Sequence, residues 1–429
     1  MSSTEILKNI VNRNRLGEPA GIYSVCSANR FVLEAAMLEA KENGSPLLIE
    51  ATCNQVNQDG GYTNMTPADF QVYVAEVAKS VDYDTHQLIL GGDHLGPNPW
   101  KYLSADDAME KAIALVEAYV KAGFTKIHLD ASMSCADDEE PLSSETIAKR
   151  AAIMCQAAER VSLDVQKPYY IIGTEVPVPG GAQEDLDELQ VTSIVDLADT
   201  IYTHRVLFSD LGISDAFDRV IGVVVQPGVE FDHASVIEYD SEKAQELKSV
   251  IHQFPGMVFE AHSTDYQTQY CLSNLVKDHF AILKVGPGLT FAFREAVFAL
   301  SYIEDEWIAS DKRSNIRGVL EQTMMNNPEY WQDYYHGAEQ EKIFARKFSF
   351  SDRSRYYWNH IDVETSLAAL IQNLTDSPVP YPLISQYLPD QYVELRKGKI
   401  VNDPVVFLHN RIRSEIKMYA HACNQFGTA

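Results

Sequence analysis

Positive charge is in short supply in this sequence: 35 lysines and arginines stand against 61 aspartates and glutamates, a formal charge of -26. A chain this acidic lacks the basic face that nucleic acid or an anionic membrane surface would require of a partner. A phosphorylated small molecule stays compatible, because a metal ion, a helix N-terminus and one or two arginines can build a positive pocket in an acidic protein. Uninterrupted apolar runs of the roughly 18 residues needed to cross a bilayer are also missing, and no cationic-then-apolar leader follows Met1, so a cytoplasmic protein is expected. Cysteines are few and scattered, at Cys26, Cys53, Cys135, Cys155, Cys271 and Cys423, with no C-x-x-C pair. That spacing suggests neither a disulfide framework nor a thiolate zinc site.

What is present is a repeat of short apolar runs and helical patterns. The 429 residues, 45% hydrophobic, suffice for one large α/β domain with an extension or for two domains. Residues 1–19 are polar and lead into the first strand. Eight runs then read as strands: 22–27, 47–52, 88–92, 126–130, 169–175, 221–226, 257–262 and 281–285. Helical patterns separate them, with start signals at Thr66-Pro67 and at Ser104 with Asp107, and stop signals at Gly44 and Gly123. No hairpin signal intervenes, so the strands call for parallel pairing through crossover helices, and eight such units match an α/β fold of the (β/α)8 TIM-barrel kind. A doubly wound open sheet would carry a glycine-rich fingerprint after its first strand, and Val25-Cys26-Ser27-Ala28 is not one. The expected division is a barrel over residues 1–300 and a mostly helical, aromatic C-terminal extension over 301–429, packed on the barrel.

In such a barrel, chemistry sits where strands end. The stretch Gly91-Gly92-Asp93-His94-Leu95-Gly96 places a carboxylate and an imidazole at one such end, and Glu50, Asp130, Glu175, Gln226, His262 and Lys284 stand at others. His94 and His262, with Glu175 and Gln226 as oxygen donors, would suit a divalent metal, Zn2+ first, with an open position for substrate. Asp93, Asp130 and Glu175 are the candidate catalytic carboxylates, Asp93 or Asp130 as general acid or base. Lys284 is either a Schiff-base nucleophile or, preferred beside two histidines, a polar support. Substrate contacts are expected from Glu50, Asn54, Ser132, Lys284, Gly286, Gly288, Thr290 and Arg353. Gly286-Pro287-Gly288-Leu289-Thr290 reads equally as a phosphate-holding loop or as a tight turn.

The segments Gly91-Gly92-Asp93-His94-Leu95-Gly96-Pro97, Gly173-Thr174-Glu175-Val176-Pro177-Val178-Pro179-Gly180-Gly181, Val225-Gln226-Pro227-Gly228-Val229-Glu230-Phe231-Asp232-His233 and Glu260-Ala261-His262-Ser263-Thr264-Asp265 resemble the Z-subunit (GatZ/KbaZ) family of D-tagatose-1,6-bisphosphate aldolase. The likeness extends to Tyr356-Tyr357-Trp358 and to Pro382-Leu383-Ile384-Ser385-Gln386-Tyr387 in the tail. It implies a barrel related to zinc-dependent class II aldolases, in galactitol and amino-galactose breakdown, whose Z subunit supports the activity and stability of a separate catalytic Y subunit. By similarity, Asp93 is the base, His94 the first zinc ligand and His262 a later one. Gln226 stands where the catalytic aldolases carry a histidine, a change that weakens a zinc site.

Three roles follow: the accessory subunit just described; an autonomous metal-dependent ketohexose or ketohexose-phosphate 4-epimerase acting on tagatose and fructose forms; or a substrate-binding barrel without chemistry. Whether the chain is itself an enzyme is left open by its residues, as is a homo-oligomer.

Overall fold

The computed structural model describes residues 2–163, 167–174 and 189–425. Eight parallel strands close a barrel: β1 (Ile22–Val25), β2 (Leu47–Thr52), β3 (Leu88–Leu95), β4 (Lys126–Leu129), β5 (Tyr169–Ile172), β6 (Val220–Val224), β9 (Val258–Ala261) and β10 (Phe280–Val285). Neighbours in the ring follow that order, and β10 closes on β1. The expected runs are the observed strands to within a few residues. A small antiparallel pair, β7 (Glu230–Phe231) and β8 (Val236–Ile237), is inserted between β6 and β9.

Crossover helices surround the strands: α2 (Arg30–Asn43), α3 (Pro67–Ser80), α4 (Ala105–Lys121), α5 (Ser144–Val161), α6 (Ile194–Asp210), the short α7 (Ser214–Phe217) and α8 (Gln245–Val250), α9 (Gln269–Lys277) and α10 (Pro287–Trp307). Their ends obey local chemistry. The Thr66 hydroxyl accepts from the Asp69 amide while Asp69 accepts from the Thr66 amide, and Ser104 accepts from the Asp107 amide. Gly44 closes α2 in the left-handed conformation that glycine adopts without a steric penalty.

Period-two alternation along each strand sends one set of side chains to the helices and the other to the barrel axis. The set on the axis changes character along its length. At the N-terminal end, Ile22, Leu48, Ile89, Ile171, Val258 and Ile282 form an apolar cluster of their own. Residues 1–19 are not only a polar lead-in: α1 (Ser3–Arg15) starts on a Ser2/Glu5 capping box and lays Leu7, Ile10 and Val11 on that cluster as a floor. The spacing of those three residues is that of one helix face.

Beyond α10 the chain is helical: α11 (Ile316–Asn326), α12 (Glu339–Phe348), α13 (Ile361–Asp376), α14 (Tyr381–Tyr387), α15 (Pro389–Arg396) and α16 (Pro404–Ala422). The last of these packs against α2, α9 and α10. Buried Tyr419 donates to the Thr264 carbonyl at 2.7 Å, the Gly21 amide donates to the Cys423 carbonyl, and Arg413 pairs with Glu39 of α2. The extension also brings Trp358 edge-on to Phe293 of α10.

Candidate functional site: a charged layer at the barrel mouth

Above the apolar floor the axis-facing positions become polar. Continuing the alternation from Ile22, Leu48, Val258 and Ile282 gives Ser24, Glu50, Glu260 and Lys284, and along β4 it gives Lys126 and His128. All six are buried. Lys126 Nζ lies 2.7 Å from Glu50 Oε1 and 2.7 Å from Glu260 Oε2. Lys284 Nζ pairs with Glu50 and lies 2.9 Å from Asp93 Oδ1. Ser24 donates to Glu50 Oε2 at 2.5 Å. Room for the Glu50 side chain comes from Gly91, where a Cβ would overlap it.

A layer of imidazoles lies over these ion pairs. His94, His128 and His262 stand mutually close, their ring centroids 4.8 to 5.3 Å apart. His94 has φ 49°, a conformation uncommon for a side chain of its size and one that collects at functional sites. Its Nδ1 is 2.8 Å from Asp130 Oδ2, while Asp130 Oδ1 accepts from the Ser132 amide and hydroxyl. His262 Nε2 faces Glu260 Oε1 at 3.0 Å. His128 Nδ1 faces Asp93 Oδ1 at 3.1 Å, and among the described residues its buried Nε2 has no hydrogen-bond partner. Nδ1 also accepts from the His94 backbone amide at 3.2 Å.

The electrostatics follow from burial working against neighbouring charge. Burial alone would raise Asp93, Asp130 and Glu260, but His94 and Lys284 beside Asp93, His94 beside Asp130, and Lys126 beside Glu260 hold all three below the usual carboxylate range. For His94, burial is outweighed by Asp93 and Asp130 and the ring is held above its ordinary value. For His262 burial wins, bringing it down to about 4. Lys284 and Lys126 are held protonated by the same carboxylates despite burial.

One potential ligand atom from each of Asp93, His128, Glu260 and His262 lies within 4.8 Å of the others. Two imidazoles and two carboxylates are a donor set that suits a divalent ion of the zinc type. The orphaned His128 nitrogen is a second sign of a missing partner, since buried polar atoms are rarely left unpaired.

A cavity of about 90 Å3 opens above this layer, lined by Asn54, Asp93, His94, His262, Lys284 and, from the extension, Arg355. It adjoins a second of about 340 Å3, and Arg355 lines both. The Arg355 guanidinium is tethered by the Ser351 and Asp352 carbonyls and the Tyr356 hydroxyl, and among the described residues no carboxylate lies within 4.0 Å of it. Burial would raise the Tyr356 hydroxyl, yet Arg355 and Arg353 bring it below the ordinary tyrosine value.

The family model for D-tagatose-1,6-bisphosphate aldolase subunit GatZ/KbaZ-like proteins matches residues 7–424. The chain belongs to this GatZ/KbaZ-like family. It is 49% identical over 419 residues to the D-tagatose-1,6-bisphosphate aldolase subunit GatZ of Escherichia coli O1:K1 / APEC, covering 97% of this chain and 100% of that protein. The GatZ subunit of Escherichia coli O6:H1 (strain CFT073) matches at the same identity and coverage. A crystal structure of a probable tagatose 6 phosphate kinase from Sinorhizobium meliloti 1021 superposes with a TM-score of 0.88 at 46% identity, over 94% of this chain and 100% of that one.

Within this GatZ/KbaZ-like barrel, the expected residues fall into three groups. Asp93, His94, Asp130, Ser132, Glu50, His262 and Lys284 converge on the mouth, and Asn54 and Gly286 line its cavity. Gly288 stands at the edge of the same mouth, giving its amide to Asp265, and Thr290, which donates to Asp352 of the extension, lines the adjoining cavity. Two expected residues are turned elsewhere. Gln226 stands beyond the end of β6 and its carboxamide oxygen accepts from the Gly228 and Val229 amides, and Arg353 stacks on Tyr334 and donates to the Tyr330 carbonyl. Glu175, named as both metal donor and catalytic acid, lies outside the described residues.

Lys126, His128, Glu260, Asp265 and Arg355 join the site although the ends of the strands do not point to them. The first three carry a signal: polar residues two positions apart in apolar strands, at Lys126-Ile127-His128-Leu129-Asp130 and Glu260-Ala261-His262. Arg355 comes from a 3-10 turn over Arg353–Tyr356, in a segment where two arginines beside three aromatics suit an anionic ligand, and Asp265 arrives from a loop.

Proposed function

We propose that this chain is the supporting subunit of a D-tagatose-1,6-bisphosphate aldolase, acting on the activity and stability of a separate catalytic subunit in place of cleaving the sugar bisphosphate itself. The observation that carries this reading is the commitment of the mouth's carboxylates to the chain's own cations. Glu50, Asp93 and Glu260 are paired with Lys126 and Lys284. A general base is most effective with a pKa near the working pH, and Asp93, held well below the usual carboxylate range by His94 and Lys284, is a weak one.

The same layer fits a divalent metal, Zn2+ first, held by Asp93, His128, Glu260 and His262 with His94 adjacent. Such an ion would supply Lewis acidity toward a sugar carbonyl or hydroxyl at the cavity. The chain's residues would do the rest: Asp130 orients His94 through Nδ1, Ser132 fixes Asp130, and Arg355 and Lys284 attract an anionic ketose such as a ketohexose phosphate. Among the described residues, the buried carboxylates Glu50, Asp93, Asp130 and Glu260 surround two ammonium groups and the His94 ring, and a bound cation would reduce the remaining negative charge.

Purified chain, catalytic subunit and their mixture should be assayed for D-tagatose 1,6-bisphosphate cleavage. The expected result is no cleavage by the chain alone and a higher rate or longer half-life of the catalytic subunit in the mixture. Robust cleavage by the chain alone, or interconversion of tagatose and fructose phosphates lost on Asp93→Asn, would overturn the reading.

A further inference from the structure

Helix α10 is 21 residues long and begins at Pro287, and the N-cap residue before it, Gly286, offers no capping side chain. Its N-terminus is met instead by Asp265, from the loop after β9. Asp265 Oδ1 accepts from the Gly286 amide at 2.9 Å and from the Gly288 amide at 2.7 Å. Converging amides at the start of a helix, on the loop after the last strand of a (β/α)8 barrel, form an arrangement that commonly holds a phosphate oxygen. The carboxylate sits closely: a Cβ at Gly288 would lie 3.1 Å from Asp265 Oδ1. It is 3% exposed, yet it lines the same cavity as His262, Lys284 and Arg355.

Capping alone accounts poorly for this choice. Helix α3, by contrast, is capped by a local, solvated pair, Thr66 with Asp69, whose carboxyl is lowered by the contact. Asp265 comes from another loop and is buried, and burial raises it to about 6 in spite of both amides. An ionised group is being held where its desolvation works against it.

We propose that Asp265 is a specificity residue whose carboxylate takes the place of a substrate phosphate on the Gly286 and Gly288 amides, so that the mouth admits a ketose only when the end on this loop carries no phosphate. The substrate class rests on the aldolase-subunit reading above. A ketose 1,6-bisphosphate then cannot seat both phosphates in this chain. A ketose bearing one phosphate can, with that group toward Arg355.

The test is calorimetric titration of the full-length chain with inorganic phosphate and with D-tagatose 1,6-bisphosphate, comparing the parent with Asp265→Ala, Asp265→Ser and Asp265→Asn. Emptying the cradle in the Ala and Ser variants should tighten binding of both ligands at least about tenfold, the strength of one charge-assisted contact. The Asn variant, whose carboxamide oxygen still accepts from both amides, should bind like the parent. No gain in a folded Ala or Ser variant overturns the proposal, and so does an equal gain in the Asn variant, which would mean charge repulsion and not occupancy. The serine variant, with a hydroxyl for one amide, keeps the test open if the alanine variant does not fold. Running the catalytic-subunit assay on the same preparations separates the two ideas: stimulation by the parent with no gain in phosphate affinity sinks this inference alone, and absence of stimulation sinks the subunit reading alone.

Discussion

The two ends of one barrel axis are filled by opposite means. At the floor, Ile22, Leu48, Ile89, Ile171, Val258 and Ile282 meet Leu7, Ile10 and Val11 of α1, and nothing but apolar surface is exchanged. One alternation further along the same strands, Glu50, Lys126, Glu260 and Lys284 lock together as buried ions. An apolar filling of the second layer would be sterically possible and cheaper in desolvation, since well-packed hydrophobic residues often replace buried ion pairs at no cost in stability. The floor is therefore the part of the axis that holds the barrel together. The mouth is the part kept charged for what it binds.

The sharpest way to break this contrast is to remove one cation from the mouth. Lys126→Met removes the cation shared by buried Glu50 and Glu260, leaving Lys284 as the one ammonium group between them, and chemical denaturation should show a loss of about 3 to 5 kcal/mol. An unchanged midpoint would mean that the layer is hydrated and not a closed ion-pair network. At the floor, Ile89→Ala deletes buried methylenes only and should cost about 2 to 4 kcal/mol in the same measurement, with no change in metal content.

A third change sharpens the comparison through pH. The Asp265 carboxyl, raised by burial from 3.8 to about 6, binds more protons folded than unfolded between those values. Its contribution to stability is therefore highest below pH 4 and falls as pH rises through 6. Asp265→Asn should remove that slope and stabilise the chain by about 1 to 3 kcal/mol at pH 7, read from unfolding midpoints at pH 4.5 and 7. Parallel profiles for parent and variant would contradict the assignment. The smallest effect belongs outside the barrel: Lys41→Ala breaks a surface pair with the largely exposed Asp82 and should change stability by less than about 1 kcal/mol. A larger loss would blur the distinction between buried and exposed ions on which the comparison depends.

The same contrast explains what was legible in the sequence. All eight barrel strands can be read, because apolar runs bounded by glycine and helix caps are local signals, and Asp93, His94 and His262 can be read because they follow such runs. Taking only the last residue of each strand passes over Lys126, His128 and Glu260, although the period-two rule would have placed them on the axis with their neighbours. The helix α1 is similarly written in the spacing of Leu7, Ile10 and Val11 beneath a polar composition. Gln226 was named as a donor for its place at a strand end, but the loop beyond supplied closer partners in Gly228 and Val229. Two arginines beside three aromatics mark the segment 352–358 for an anionic ligand, but spacing does not tell Arg353 from Arg355, and Arg355 is the one that lines the cavity; nothing local marks Asp265, which reaches a helix from a different loop.

If the charged layer of the mouth is kept for a cation, metal analysis of the full-length chain purified without chelator, beside a His128→Ala/His262→Ala variant, will show it. Close to one divalent ion per chain is expected in the parent and none in the folded variant; a parent without metal, or a variant that retains it, would mean that the layer serves another purpose.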